Sequence, residues 1–171
     1  EGKIDILVGT QMITKGLDFG NIALVGVLNA DALLRYPDLR ANERAFQLLT
    51  QVSGRAGRRT KQGKVIIQTF DPAHPVIVET MHHMYDRFFE RESSERKMFL
   101  YPPYFRMIQI EFLHKNASTC AHAAAVFADA AKKLLGSRLI GPATPGIARI
   151  RGQYIQQVTI KMEKDPKAVK K

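Results

Sequence analysis

The first seventy residues of the chain alternate between short apolar runs and one amphipathic segment. The apolar runs, at residues 1–9, 22–28 and 64–70, predict three buried strands. Asn42 is the expected N-cap of a helix between the last two strands, and residues 29–40 are expected to form a loop. The helix has an apolar residue every third position, which predicts a buried stripe of Phe46, Leu49 and Val52. This order of elements predicts an α/β layer with a parallel sheet.

The next segment, residues 76–98, predicts a single helix rich in both charges. Its expected buried face consists of Val76, Val78, Met81, Met84, Tyr85, Phe88 and Phe89. Consecutive prolines follow in the run Tyr101-Pro-Pro-Tyr104, which cannot lie inside a helix. This run predicts a boundary between a domain at residues 1–100 and a second domain at residues 101–171.

Beyond this boundary the hydrophobic pattern changes to strict alternation. Residues 107–113 predict a half-exposed antiparallel strand, and residues 153–162 predict another. Between them a helix is expected from its cap at Asn116 to a stop at Gly136, followed by a loop at residues 141–146. The residues expected to point inward from this helix are Ala123, Phe127, Ala131 and Leu134. The pattern predicts a small α+β domain, and residues 164–171 look like a helix start that is cut short.

The net charge of the chain indicates the class of its binding partner. The 171 residues carry a formal net charge of +10, divided as +4 over residues 1–70, zero over residues 71–137 and +6 over residues 138–171. Such an excess points to a polyanionic partner. The single cysteine, Cys120, excludes an internal disulfide, is expected to lie in the core and favours a reducing, intracellular location. No apolar run approaches the ~20 residues of a membrane span.

Residues 47–59 contain a Q-x-x-G-R-x-G-R pattern that starts at Gln51 and includes Gly54, Arg55 and Arg58. Arg55 and Arg58 are three residues apart and can project from one helix face. Their planar, permanently charged guanidinium groups suit phosphate oxygens, and the glycines let a large anion approach the backbone. The pattern suggests arginine fingers aimed at the γ-phosphate of a nucleotide. Taken alone, a solvated basic helix end is the better interpretation.

A second group of polar residues follows the first predicted strand: Gly9, Thr10, Lys15, Gly16 and Asp18. Open α/β sheets bind ligands at the carboxyl ends of their strands. Exposed amides at Gly9 and Gly16 can bind phosphate together with the Thr10 hydroxyl. Asp18 can either accept a hydrogen bond from a ribose hydroxyl or hold the arginine pair in place. The two groups, in this order on one sheet, strengthen each other as a nucleotide site.

These stretches resemble helicase motifs. Residues 8–19 resemble motif V, and residues 47–58 resemble motif VI of the superfamily-two DNA helicases. The additional stretches 25–31, 65–70 and 101–104 narrow the resemblance to the replication-restart helicases, over nearly the whole chain. The resemblance implies part of a RecA-like helicase lobe 2 with a parallel sheet, followed by the family's small α+β C-terminal domain.

The resemblance also implies an activity and roles for individual residues. The activity is ATP-driven 3′-to-5′ DNA unwinding at stalled forks and D-loops in the bacterial cytoplasm, associated with the nucleoid. Arg58 becomes the expected finger on the γ-phosphate, with Arg55 beside it and Gln51 orienting the attacking water or the phosphate. Near the nucleotide the resemblance places Gly16, Asp18 and Gly54, and near DNA it places Thr10 and Lys15.

Two parts of such a motor are missing from the sequence. There is no G-x-x-x-x-G-K-[ST] phosphate loop and no acidic magnesium-binding motif. ATP and Mg²⁺ are therefore expected to need a first lobe upstream, and the family's zinc region is expected there too. We expect the chain to be a helicase piece that is inactive alone. No metal site is expected within it, because the adjacent His82 and His83 do not face one way on a helix.

The carboxyl-terminal part offers a separate candidate interface. Arg149, Arg151, Tyr154, Lys161 and the terminal lysines form a basic strand with an aromatic residue, suited to base stacking and phosphate contact. A solvated surface face is equally compatible with this pattern. The resemblance favours as partners forked and single-stranded DNA, the acidic tail of single-stranded DNA-binding protein, and the primosome proteins that lead to replicative helicase loading. The alternative to a motor piece is a non-catalytic nucleic-acid-binding module.

Overall fold

The computed structural model describes residues 4–10, 22–54 and 63–164. The chain divides into two units, Glu1–Phe89 and Glu90–Lys171, which we describe separately. The boundary predicted at Tyr101 lies inside the second unit, a few residues after the end of a helix.

The first unit contains a parallel strand pair with helices packed on it. Its elements are β1 (Leu24–Val27), α1 (Asp31–Leu34), α2 (Ala41–Ser53), β2 (Lys64–Ile67), α3 (Pro75–Met81) and the first residues of α4 (Tyr85–Met98). β1 and β2 pair in parallel, with Leu24 opposite Lys64 and Val27 opposite Ile67. The predicted parallel sheet and the helix between its strands are therefore confirmed.

The core of this unit forms where α2 and α3 meet the strands. Ala30, Leu49 and Ile77 are buried together, with Val27 and Ile67 packed against them. A second cluster joins α2 to α4, where the rings of Phe46 and Phe88 stack with centroids 4.2 Å apart. The predicted stripe of Phe46, Leu49 and Val52 is buried. Burial of this stripe against two other elements stabilises α2 far more than its intrinsic propensity does.

Several boundaries in this unit differ from the predictions. Residues 4–9 form no strand, and Ile6 and Val8 are 82% and 81% exposed. A parallel strand needs a hydrogen-bonding neighbour, and among the described residues β1 and β2 pair only with each other. The expected loop at residues 29–40 contains the short helix α1. Asn42 is not the N-cap, because α2 begins at Ala41 with Arg40 in the cap position.

The single helix expected at residues 76–98 is two helices. α3 ends at Met81 and α4 begins at Tyr85, because His83 adopts a left-handed conformation with φ of 54°. The break turns part of the expected buried face outward. Val76 and Phe88 are buried as predicted and Val78 is half-buried, whereas the exposed members are Met81, Met84, Tyr85 and Phe89.

The second unit is an antiparallel sheet covered on one face by a long helix. Its elements after α4 are β3 (Phe105–His114), α5 (Ala117–Leu135), a 3₁₀ turn (Gly136–Arg138), β4 (Leu139–Ala143), β5 (Arg149–Ile150) and β6 (Gln153–Glu163). The strand order is β3-β6-β4, and β5 pairs with β6. Ala128 of α5 is buried with Leu139, Val158 and Ile160 of the sheet. The predicted α+β character of this part of the chain is confirmed.

The ends of α5 agree with the sequence, but its inward face is shifted. The Asn116 side chain accepts a hydrogen bond from Thr119 N at 3.1 Å, and Gly136 follows the helix with φ of 57°. The small residues Cys120, Ala124 and Ala128 face the sheet at intervals of four. Phe127 and Ala131 are half-buried as expected, whereas Ala123 is exposed and Leu134 is 88% exposed. The expected loop at residues 141–146 begins within β4.

Two general properties follow from the described ranges. No helix within them is both long enough and apolar enough to span a membrane. Likewise, residues 4–10, 22–54 and 63–164 contain no group of three His, Cys, Asp or Glu side chains placed to hold a metal ion.

Candidate nucleotide and nucleic-acid sites

The start of the Q-x-x-G-R-x-G-R pattern lies at the carboxyl end of α2. Gln51 is exposed on the last turn, and Gly54 caps the helix by donating its N–H to Thr50 O at 3.1 Å. Within the part of the chain that the structure describes, a Cβ at Gly54 would meet two backbone oxygens, both at 3.7 Å, and Gly54 itself is exposed. Arg55 and Arg58 lie outside the described residues, so their grouping with Gln51 stays a prediction.

The same exposed face borders an open concavity of about 410 Å³ that runs along α2 from Ala41 to Gln51. Five residues of α2 line it, mostly at spacings of three and four, which places them along one helix face. The wall opposite comes from α1 and the loop after it. The full lining consists of Ala32, Leu33, Tyr36, Ala41, Arg44, Gln47, Leu48 and Gln51.

Asp31 lies at the carboxyl end of the parallel strands. Its structural contacts were not predicted from the sequence. It is 6% exposed, and its carboxylate accepts hydrogen bonds from Phe70 N at 3.0 Å and Thr69 Oγ1 at 3.1 Å. Burial by itself raises the pKa of this carboxyl. The hydrogen bonds from Phe70, Thr69 and its own backbone, together with the charge of Arg35, outweigh burial and hold the pKa below its ordinary value.

Asp31 thereby joins the segment after β1 to the segment after β2, beside the backbone bond from Ala30 N to Gln68 O at 3.0 Å. The available sequence signal was an acidic residue directly after a buried strand. Such a residue can either bind a ligand or stabilise the fold, and the described contacts of Asp31 stabilise the fold.

Of the remaining residues expected at this sheet edge, some lie in the described part of the chain and the others do not. Thr10 is exposed at the end of the described segment 4–10. Lys15, Gly16 and Asp18 lie outside the described residues. Their expected roles near nucleotide and DNA therefore stay predictions.

In the second unit, three of the four predicted basic-strand residues come together in the hairpin of β5 and β6. Arg151 and Gly152 both have positive φ, 48° and 80°, as a two-residue type I′ turn requires. Arg149 lies opposite Tyr154 in the hairpin, and its guanidinium carbon is 4.9 Å from the centroid of that ring. The hairpin therefore presents an exposed arginine at its tip and a second one held over an aromatic face.

Lys161 is not part of this group. It lies seven residues further along β6, about 23 Å away at the usual rise of a strand. Its Nζ donates to Phe99 O at 2.6 Å and lies 4.0 Å from the centroid of the Tyr101 ring. Burial lowers the pKa of its ammonium. These contacts tie β6 to the segment after α4, and our candidate interface leaves Lys161 out.

The Tyr101-Pro-Pro-Tyr104 run is also held by two cations of α4. Arg96 Nη1 donates to Pro102 O at 2.6 Å, and Lys97 Nζ lies 4.8 Å from the centroid of the Tyr104 ring. The sequence marked this run as a break in helix, a domain boundary and part of the family resemblance, but it did not predict these contacts. The sequence signal for these contacts was the pair of tyrosines that flank the prolines, close to basic residues in the preceding segment.

Comparison with known proteins finds one matching family model and several similar proteins. Residues 97–171 match the family model of the primosomal protein N C-terminal domain. The replication restart protein PriA of Bacillus subtilis is 47% identical over 167 residues, which are 96% of this chain and 21% of that protein. The replication restart protein PriA of Synechocystis is 46% identical over 162 residues, 94% of this chain and 20% of that protein. In Treponema pallidum the replication restart protein PriA is 42% identical over 168 residues, 96% of this chain and 25% of that protein.

The chain thus spans about a fifth to a quarter of the length of these curated relatives. The similarity covers both units, including the α2 pattern and the β5–β6 hairpin. The chain belongs to the PriA family of replication restart proteins.

Proposed function

We propose that this chain forms part of the second motor lobe of an ATP-driven 3′-to-5′ DNA helicase, together with the small domain that follows that lobe. The observation that supports this most directly is the position of Gln51. Its exposed side chain lies on the last turn of α2. Arg55 and Arg58 of the same pattern follow shortly after it in the sequence. The parallel strand pair behind α2 suits a RecA-like lobe, in which such a helix end faces a nucleotide.

In this proposal the α2 end acts on the transition state of phosphoryl transfer. Arg58 is the finger that stabilises charge on the γ-phosphate, Arg55 supports it, and Gln51 orients the attacking water or the phosphate. Gly54 lets the phosphate come close to the backbone, while Gly16 and Asp18 lie near the nucleotide. Thr10 and Lys15 contact the DNA backbone.

The cofactors of this reaction differ in how well the described residues suit them. ATP fits, because an exposed carboxamide and an open concavity lie along one face of α2. Zinc does not fit the described part of the chain, which contains no three-residue His, Cys, Asp or Glu group for a metal, whereas Mg²⁺ is held mainly by nucleotide phosphates with one or two carboxylates. Cys120 is buried, and its Sγ donates to Phe112 O at 3.1 Å. We infer that both metals are held by other parts of the full-length protein.

The experiment is Arg58→Ala in the full-length protein that carries this chain. We expect DNA-stimulated ATP hydrolysis to fall by about 10³-fold or more, because a finger arginine acts on the transition state. DNA binding is expected to survive. The neighbouring Arg59→Ala is the matched control, since it removes the same charge outside the pattern. Lost DNA binding with intact hydrolysis would instead support the non-catalytic binding module.

A second role is favoured by the hairpin of β5 and β6. Arg149 over Tyr154, with Arg151 at the tip, suits phosphate contact and base stacking, so we propose that the hairpin binds forked or single-stranded DNA. The acidic tail of single-stranded DNA-binding protein is the competing ligand for this surface. The primosome proteins that lead to replicative helicase loading are proposed as later partners, in the bacterial cytoplasm at the nucleoid.

A further inference from the structure

We propose that His114 completes a site for one unpaired nucleobase, together with the pair of Arg149 and Tyr154 in the β5–β6 hairpin. This inference rests on the proposed function, because it takes the hairpin to bind single-stranded DNA. It adds a residue of β3 that lies outside the basic sequence pattern, and it names the part of the DNA strand that this residue contacts.

The pairing of three strands brings these residues into one row. His114 is the Cα partner of Tyr154 across β3 and β6, and Tyr154 is the partner of Arg149 across β6 and β5. Residues directly opposite each other in antiparallel strands project from the same face of the sheet. At the usual spacing of strands the row is about 10 Å long. Arg149 and His114 are exposed at its two ends, with Tyr154 half-buried between them, so the row is long enough for a single nucleotide.

The hydrogen bonds of His114 determine which ring nitrogen carries the proton. Nδ1 lies 3.0 Å from Asn116 N, and because a backbone N–H can only donate, Nδ1 is the acceptor of this bond. In a neutral imidazole the proton is then on Nε2. Among the described residues this Nε2 has no hydrogen-bond partner. His114 therefore has an uncharged donor available at one end of the row.

The chemistry of the row suits a base with its attached phosphate. The Arg149 guanidinium lies over the Tyr154 ring, so a base can stack on the outer face of its plane while its N–H edge contacts the phosphate. A base stacked there lies above the row, where Nε2–H of His114 donates to a carbonyl oxygen or ring nitrogen of the base edge. Bases within a duplex are stacked on both faces and paired at their edges. The row therefore selects an unpaired base.

The test compares two strands of equal length bound to the full-length protein that carries this chain. Oligothymidylate contains bases, whereas a strand of abasic sugar phosphates contains only the backbone. We expect His114→Asn to weaken oligothymidylate binding about 5-fold, the loss of one hydrogen bond, and to leave the affinities for the abasic strand and for a blunt duplex unchanged. The slope of log K against log salt should also stay unchanged, because a neutral donor releases no counterion.

Two substitutions at this position separate a base contact from a role in the turn before α5. His114→Asn keeps a side-chain oxygen that can accept the Asn116 N–H two residues on, and it loses the donor at the distance of Nε2. His114→Gln places an amide N–H at about the distance of Nε2 and loses the acceptor near the backbone. We therefore expect His114→Gln to bind oligothymidylate like the unaltered protein, even where its unfolding temperature is lower. A purely structural role of His114 predicts the opposite order of the two variants.

The outcomes separate this inference from the proposed function. If His114→Asn binds oligothymidylate normally, or loses affinity for oligothymidylate, the abasic strand and the duplex alike, the base contact of His114 is wrong. The hairpin still binds DNA in that case as long as Arg149→Ala weakens the binding of both single strands. If Arg149→Ala binds both strands normally, the proposed role of the hairpin in DNA binding itself fails.

Discussion

The guanidinium carbon of Arg149 lies 4.9 Å from the ring centroid of Tyr154, its cross-strand neighbour in the β5–β6 hairpin. The ring holds the arginine in one orientation on the exposed surface, which lowers the entropy lost when it contacts a phosphate. Arg151 extends from the turn of the same hairpin. Both cations are therefore exposed on one short hairpin.

For DNA binding, we expect Arg149→Ala and Arg151→Ala each to weaken affinity and to lower the slope of log K against log salt by about 1. The reason is that each lost phosphate contact releases about one counterion fewer. Fluorescence anisotropy with forked and single-stranded DNA over a salt series measures this slope. Arg138→Ala is the matched control, since Arg138 pairs with Glu163 at 3.0 Å. Equal slopes for all three variants would show a general charge effect and no hairpin contact.

Sequence patterns grouped Arg149, Arg151 and Tyr154 on a basic strand but did not predict the hairpin that brings them together. The turn of this hairpin depends on positive φ at Arg151 and Gly152, and only the glycine signals such a conformation in the sequence. Lys161 lies on the same strand and belongs to the same basic sequence pattern as the hairpin residues. Its binding to Phe99 O and Tyr101 depends on a segment sixty residues earlier, and such a long-range contact leaves no local pattern.

In the first unit the limits of prediction have a different cause. The stripe of Phe46, Leu49 and Val52 was predictable because helical periodicity is local. Residues 4–9 have the composition of a buried strand, but a strand exists only with a hydrogen-bonding neighbour, and the described chain supplies none to them. The break at His83 was missed because its φ of 54° occurs at a residue without a turn signature.

The contacts of Lys161 predict a stability role. We expect Lys161→Met, which keeps the apolar stem, to lower the free energy of unfolding by about 1–2 kcal/mol, because Phe99 O loses a charged donor and Tyr101 loses its cation. Denaturant unfolding measures the loss. The salt slope of DNA binding should stay as in the unaltered chain. A reduced salt slope of DNA binding with unchanged stability would show instead that Lys161 contacts DNA.

Asp31 predicts a pH dependence of stability. Its folded pKa lies below its ordinary value, so its contribution is present above the unfolded pKa of about 3.8 and is lost as the pH falls through the lower folded pKa. Asp31→Asn should therefore be less stable than the unaltered chain near neutral pH, and the difference should shrink in acid. Thermal unfolding between about pH 2 and pH 7 measures both effects.

Two variants check that this dependence comes from the described hydrogen bonds. Thr69→Val removes one donor to Asp31 with little change of shape, so its effect should be smaller in the Asp31→Asn background than alone. Asp71→Asn removes a nearby exposed carboxylate and is the matched control for the loss of a negative charge. Additive effects of Thr69→Val and Asp31→Asn would contradict the coupling.

Two glycines of the second unit separate backbone strain from steric overlap. Gly152 has φ of 80° with no described residue within 4 Å of an added Cβ, whereas Gly141 has φ of 106° and an added Cβ would lie 2.8 Å from Gln157 O. Gly152→Ala should lower the free energy of unfolding by about 1–2 kcal/mol, the cost of a left-handed side-chain residue. Gly141→Ala should cost about 1–3 kcal/mol more, since the backbone of β6 must also move. Gly26→Ala in β1, with no described residue within 4 Å of the added Cβ and no positive φ, should change stability by less than about 0.5 kcal/mol. Denaturant unfolding ranks the three variants, and equal losses at Gly141 and Gly152 would mean that β4 can shift away from β6 at no cost.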